Sequence, residues 1–348
     1  MTDNSNRTGI RAPHSASPTR RELLAGASAV AAASVATQAV GANEADEKAV
    51  NVEGKSILIT GASSGFGRLA SLHLARNGAR IIASMRNFDG GKRPEAQSLA
   101  DTASDEKLDL SVIEIDVTQP DLVDSGTAKA HKIAGGPLDV LINNAGIAIA
   151  GPIEMHDEEA LAAHFETNLF GYHRMAKAVL PKMRARGEGY LIHVSSQLGR
   201  LILPNIGMYC ATKFGLEAMF EAQAYELAPF GVDATIIEPG GYPTQIWDNG
   251  KRYFDELVSR TNKAVTEQYG AHLQLAEGLQ TTPRTTDPMD VPRAMAALIS
   301  MPAGARPLRQ PVHPNTRATD AANAAMRNVQ AAVLGNGPYA KWHAYVAG

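Results

Sequence analysis

A single cysteine, Cys210, occurs in 348 residues, which excludes an intramolecular disulfide and a cysteine-rich zinc site. An excess of one charge is also missing. Lys and Arg number 33 against 36 Asp and Glu, a net charge of −3, so the chain has no broad basic face of the kind that holds nucleic acid. The 10 histidines show no paired metal-ligand spacing, and no metal is expected. No Gly-x-Ser-x-Gly surrounds Ser196, which argues against a nucleophile-elbow hydrolase. What is present is a hydrophobic share of 44%, enough for a sizeable core and too high for global disorder.

The amino terminus is organised differently from the rest. Arg7, Arg11, Arg20 and Arg21 outnumber Asp3 and Glu22, and the 21 residues from Leu23 to Asn43 carry no charge. Only Leu23 and Leu24 supply large aliphatic bulk there, too little for a stable membrane span. A basic segment, an uncharged Ala-rich segment and the small residues Val40-Gly41-Ala42 have the three-part layout of an export signal. The pair Arg20-Arg21 resembles the twin-arginine bacterial signal. The expectation is a leader and linker over 1–52, periplasmic localisation, and membrane contact only through that signal; an unused signal leaves the protein cytoplasmic.

From Lys55 onward, short apolar runs alternate with helical patterns. Ser56–Thr60, Arg80–Met85, Leu110–Ile115, Asp139–Ile142, Tyr190–Val194 and Ala234–Glu238 read as strands. Helices are expected up to Arg76, over Glu159–Arg186 as one long element, over Met208–Leu227 and over Asp290–Ser300, with Leu308–Val312 as a last strand. This alternation predicts an α/β fold, a doubly wound parallel sheet with helices on both faces. Such a sheet binds ligands at the carboxyl ends of its strands. Pro311 restricts the last strand to an edge.

Gly61-Ala62-Ser63-Ser64-Gly65-Phe66-Gly67 follows the first strand and opens the first helix. Glycines there let the backbone approach a pyrophosphate, and helix-start N–H groups attract its charge. The spacing, with three residues between the first two glycines and one between the last two, resembles the short-chain dehydrogenase/reductase family over Val52–Thr244. The resemblance implies a Rossmann fold, a nicotinamide cofactor, a homo-oligomer and an alcohol or carbonyl substrate. It also implies that Asp116-Val117 contacts the adenine. Asn144, within Asn143-Asn144-Ala145-Gly146, walls the cofactor, and Pro239, Tyr242 and Thr244 close over the nicotinamide. At the end of the second strand an acidic residue would grip the ribose of NAD, but Met85 and Arg86 stand there. A guanidinium suits a 2′-phosphate, so NADP is expected, with Arg86 and Ser63 beside that phosphate and NAD less favoured.

Tyr209 and Lys213 are spaced i and i+4, on one helix face. A phenol of pKa ~10 is a poor base at neutral pH, and a nearby cation is expected to lower it. Such a pair is common by itself. Ser196, thirteen residues earlier, and Asn168 in Thr167-Asn168-Leu169 complete a set that resembles the family's. The resemblance implies Tyr209 as acid/base, Ser196 bonded to the substrate oxygen, Lys213 on the ribose and tuning Tyr209, and Asn168 supporting a proton relay. The alternative is a non-catalytic NADP-binding sensor or scaffold with the same fold. His193 and Cys210 read as packing residues. The stretch Tyr242–Thr285, without strand pattern, holds five aromatics including Trp247 and Tyr253, which suggests a lid over a lipophilic substrate. The division is thus 53–241 for the dinucleotide-binding catalytic core and 242–348 for a lid and carboxyl-terminal segment of the same domain.

Overall fold

The computed structural model describes residues 50–347. The export signal, including Arg20-Arg21, lies outside the described residues. Among those described, β1 (Ser56–Ile59), β2 (Arg80–Met85), β3 (Leu110–Glu114), β4 (Val140–Asn143), β5 (Gly189–Val194), β6 (Val232–Pro239) and β7 (Arg309–Val312) form one sheet in the order β3-β2-β1-β4-β5-β6-β7. Every pairing is parallel. The helices are α1 (Gly65–Arg76), α2 (Pro94–Asp105), α3 (Pro120–Ala134), α4 (Glu158–Phe165), α5 (Gly171–Arg186), α6 (Gly207–Leu227), α7 (Ile246–Arg260), α8 (Lys263–Gln268), α9 (Gly270–Thr281), α10 (Asp290–Ser300), α11 (Arg317–Leu334) and α12 (Ala340–Ala347).

β1, β4, β5 and β6 are buried along their whole lengths. Alternate side chains therefore feed two cores, one on each face of the sheet. Ile57, Ile59 and Ile192 pack with α1, α2 and α10 through Leu74, Leu99 and Met295. Leu58, Leu141 and Leu191 pack with α3, α5 and α6 through Val123, Val179 and Phe220. His193 belongs to the second layer, its ring stacked 3.7 Å from that of Phe220, and Cys210 is buried. The doubly wound sheet is as the sequence predicts, with Pro311 in the edge strand β7.

One segment differs from expectation, and two that were given no secondary structure prove helical. The long helix expected over Glu159–Arg186 is interrupted by a wide π turn at Glu166–Phe170, between α4 and α5. The segment without strand pattern folds into α7, α8 and α9. The residues after His313, beyond the stretch of family resemblance, form α11 and α12 and are tied to the sheet. Asn323 on α11 donates to Glu238 Oε2 at 2.6 Å, and Tyr345 on α12 donates to Asp233 Oδ1 at 2.8 Å.

Asn323 reaches a buried ionic cluster. Arg309 donates to Glu217 at 2.8 Å and Glu221 at 2.6 Å. Arg200 and Arg309 also stand 3.9 and 3.7 Å from Glu238. Three carboxyl groups thus share two guanidiniums in the interior. Burial and the neighbouring Glu217 raise Glu238 to about 8. Its folded value exceeds the ordinary unfolded one of ~4.3, so its contribution to stability is full below that value and is lost as pH rises through about 8. Glu238→Gln, which stays neutral, is expected to gain stability relative to wild type between pH ~5.5 and ~8.5. Urea midpoints at both pH values check this, and an equal wild-type-to-variant difference at each would refute it.

Candidate active site

The switch point of the sheet lies between β1 and β4, whose neighbours diverge in opposite directions. A cavity of about 600 Å³ opens at the carboxyl ends of these strands. Of the residues singled out in the sequence, Gly61, Ser63, Ser64, Gly65, Phe66, Arg86, Asp116, Val117, Asn144, Ser196, Tyr209, Lys213, Pro239, Tyr242 and Thr244 all line it. Gly67 and Asn168 do not; each supports the wall from behind.

The glycine turn is fixed from both sides. Gly61 has φ +69°, a left-handed conformation that favours glycine, and a Cβ there would meet Ala145 Cα at 2.8 Å. A Cβ on Gly67 would be driven into Gly61 O and would lie 2.5 Å from Asn144 Nδ2. Asn144 Nδ2 donates to Thr60 O at 2.9 Å, and its backbone N–H donates to Thr60 Oγ1 at 2.9 Å. These bonds lock the end of β4 to the end of β1. Ser64, the N-cap of α1, makes no side-chain cap hydrogen bond, so the first-turn N–H groups are left for an anion. Asp116 folds its carboxylate onto Thr118 N and Oγ1 at 2.9 and 2.7 Å, shaping the end of β3.

Charge in the cavity is one-sided. Arg86, Arg93, Lys213, Arg252 and Arg284 line it against the single carboxylate of Asp116. The end of β2 contributes Met85, Arg86 and Asn87 and no acid. A backbone-only turn, an uncapped helix start and a cationic lining fit a phosphorylated dinucleotide.

At the opposite end, β5 and α6 bring Ser196, Tyr209 and Lys213 to the same cavity. Ser196 Oγ accepts from Leu198 N at 3.1 Å and faces Pro239 O at 3.4 Å. Ser195 Oγ is buried without a partner and packs against Gly199, where an added Cβ would lie 2.7 Å away. Lys213 Nζ donates to Val194 O at 2.8 Å and lies 5.7 Å from the Tyr209 ring centre. Burial lowers Lys213 to about 7. Asn168 accepts from Ile147 N and donates to Ile147 O, each at 2.9 Å, and donates to Thr212 on α6 at 3.1 Å. The π turn holds it there, bracing the backbone after β4 against the helix that carries Tyr209.

The expected depression of Tyr209 is not seen. Burial pushes its phenol up to about 12, and a hydrogen bond with Ser196 offsets only part of this. Lys213 is itself desolvated and bonded to Val194 O, so burial prevails over its attraction. Tyr209 therefore enters neutral pH as a proton donor. Tyr242 lines the cavity, and its hydroxyl donates to Asp290 at 3.1 Å while its ring sits edge-on to Phe66. That bond anchors the segment after β6 to α10. Sequence reasoning did not single out Arg93, Arg252 or Arg284, and only their positive charge in the aromatic-rich segment after β6 and after β2 could have drawn notice.

Residues 55–252, over half of the chain, match the short chain dehydrogenase family. The chain belongs to that family. An uncharacterized oxidoreductase of Bacillus subtilis, YusZ, is 38% identical over 201 residues, 58% of this chain and 69% of that protein. Among solved structures, a short-chain dehydrogenase from Streptomyces avermitilis is 30% identical with a TM-score of 0.62, covering 80% of this chain and 95% of its own. A short-chain dehydrogenase/reductase from Burkholderia phymatum, solved in complex with NAD, shares the fold at 23% identity and a TM-score of 0.65, covering 82% and 97%. This short-chain dehydrogenase thus has an oxidoreductase relative, and its cavity fits a nicotinamide dinucleotide.

Proposed function

We propose that the protein is an NADP(H)-dependent oxidoreductase that interconverts a secondary alcohol and a carbonyl. The observation that carries this reading is the shared cavity, which holds the glycine turn and Arg86 at one end and Ser196, Tyr209 and Lys213 at the other. When bound, the reduced nicotinamide supplies a hydride to the carbonyl carbon, and the oxidised form accepts one from the alcohol. Tyr209 delivers the balancing proton to the carbonyl oxygen, and takes it back in the reverse direction. Ser196 donates to the same oxygen, Lys213 holds the ribose side and Asn168 keeps the wall beside Tyr209 in place. Arg86, with Ser63 nearby, selects the 2′-phosphate.

Absorbance assays of NADP(H) and NAD(H) against a panel of ketones and secondary alcohols test the reading. Wild type is expected to prefer NADP(H), and Arg86→Asp to weaken NADP(H) by about tenfold or more while leaving NAD(H) usable, since a charge-assisted pair is lost and a repulsion gained. An unaltered nucleotide preference in the variant would remove Arg86 from this role. We also propose a periplasmic location through the twin-arginine-like leader; cell fractionation with Arg20-Arg21 changed to Lys-Lys tests it, the altered protein staying in the cytoplasm.

A further inference from the structure

Arginines in the cavity fall into two kinds. Arg93 pairs with Glu95 at 2.9 Å and Arg252 with Glu256 at 3.2 Å. Arg86 and Arg284 have no carboxylate partner among the described residues. Arg86, bonded to the Tyr253 hydroxyl at 3.1 Å, lies at the end of β2 and is accounted for by the nucleotide. Arg284 is not. It sits between α9 and α10 with its guanidinium carbon 3.5 Å from the centre of the Trp247 ring. Trp247 is itself held, its indole N–H donating to Tyr242 O at 2.8 Å.

Two of the five N–H groups of Arg284 are used, on Leu279 O at 2.5 Å and Thr282 O at 3.0 Å. The rest of the fork, Nε–H included, has no partner among the described residues. Its surroundings belong to the acid/base end: Leu198, Ile246, Trp247 and Leu279 pack on the cluster that contains Tyr209. A half-buried guanidinium that is stacked and held by two carbonyls presents the free part of its fork, in fixed orientation, to an anion in the cavity. Its planar fork matches a carboxylate.

We propose that Arg284 binds a carboxylate on the substrate, so that the alcohol or carbonyl belongs to an acid with an apolar chain. Leu198, Leu201, Leu203 and Ile246 bound the chain, Trp247 fixes the plane of the guanidinium, and the reacting oxygen lies at Tyr209. This rests on the oxidoreductase reading above. It adds an anionic handle to a pocket whose other lining near Tyr209 is mainly apolar, and neutral lipophilic ketones become the poorer substrates.

The experiment compares oxodecanoic acids, with the ketone placed from position 4 to 8, with their methyl esters, by NADPH consumption. Wild type is expected to favour the best acid over its ester in kcat/KM. Arg284→Gln is expected to lower that acid-to-ester ratio by about 10- to 100-fold, the range of a hydrogen bond to a charged group, and Arg284→Lys to retain part of it. Wild type with no preference for any acid overturns the proposal without using a variant. So does an Arg284→Gln enzyme whose ratio is unchanged; a raised KM for NADPH in that variant would then assign Arg284 to a cofactor phosphate. Turnover of the esters without acid preference defeats only this proposal. Failure of every carbonyl with either nucleotide defeats the underlying reading as well.

Discussion

Replacing Tyr209 with phenylalanine is expected to lower turnover by about 10²- to 10⁴-fold, the range that positioned general acid–base groups contribute. The ring packs with Ala148, Ile206 and Cys210, and phenylalanine keeps that packing, so fold and nucleotide binding should survive. The lost hydroxyl is the one that burial keeps protonated, up to about 12. Carbonyl reduction needs that proton. Alcohol oxidation needs the phenolate, whose fraction rises about tenfold per pH unit below that value, so the oxidative rate of wild type is expected to climb across the alkaline range while the reductive rate does not. Steady-state rates in both directions, with NADPH binding followed by fluorescence, check both parts. A Phe variant within tenfold of wild type would remove Tyr209 from its role.

Gly61→Ala has the largest expected effect on the fold. The left-handed φ costs an alanine ~1–2 kcal/mol, and overpacking typically costs another ~1–3 kcal/mol. The obstruction is the Ala145 backbone at 2.8 Å, which has no rotamer to change. Relief requires β1 and β4 to part at their carboxyl ends, breaking the Asn144–Thr60 bonds. Stability is therefore expected to fall by about 2–5 kcal/mol, read from urea unfolding, and nucleotide affinity to weaken by at least about tenfold as the turn leaves the phosphate. Gly54, also at positive φ with nothing within 4 Å, is the control: alanine there carries only the backbone strain. Equal losses at both positions would mean that the close approach to Ala145 is not what fixes Gly61.

Where the sequence was legible, one physical signal dominated. Buried parallel strands must be continuously apolar, so β1, β4, β5 and β6 stood out as short runs, and the glycine turn and Ser196 stood just after the ends of β1 and β5. α2 and α3 left weaker marks. Their inward faces are Ala96, Leu99 and Ala103, and Val123, Gly126, Thr127, Ala130 and His131, too small or polar to register as an apolar stripe. Tyr209 shows a different limit. Its spacing to Lys213 was readable, but desolvation depends on what the rest of the chain piles around the phenol. Arg284 was invisible for the same reason, since a cation's missing partner can be recognised only when its neighbours are known.

The wide turn at Glu166–Phe170 has a consequence for how the chain can change its length. A regular α-helix advances 100° per residue, so one surplus residue spread over a turn shifts the register between α4 and α5 and turns Thr167, Asn168 and Leu169 inward. Such a bulge is an insertion absorbed without a loop. Removing one residue there would restore an unbroken helix and carry Asn168 off the Ile147 backbone. The place of Asn168 is thereby defined by a count of residues as much as by its identity, and point substitutions sample only half of what holds it there.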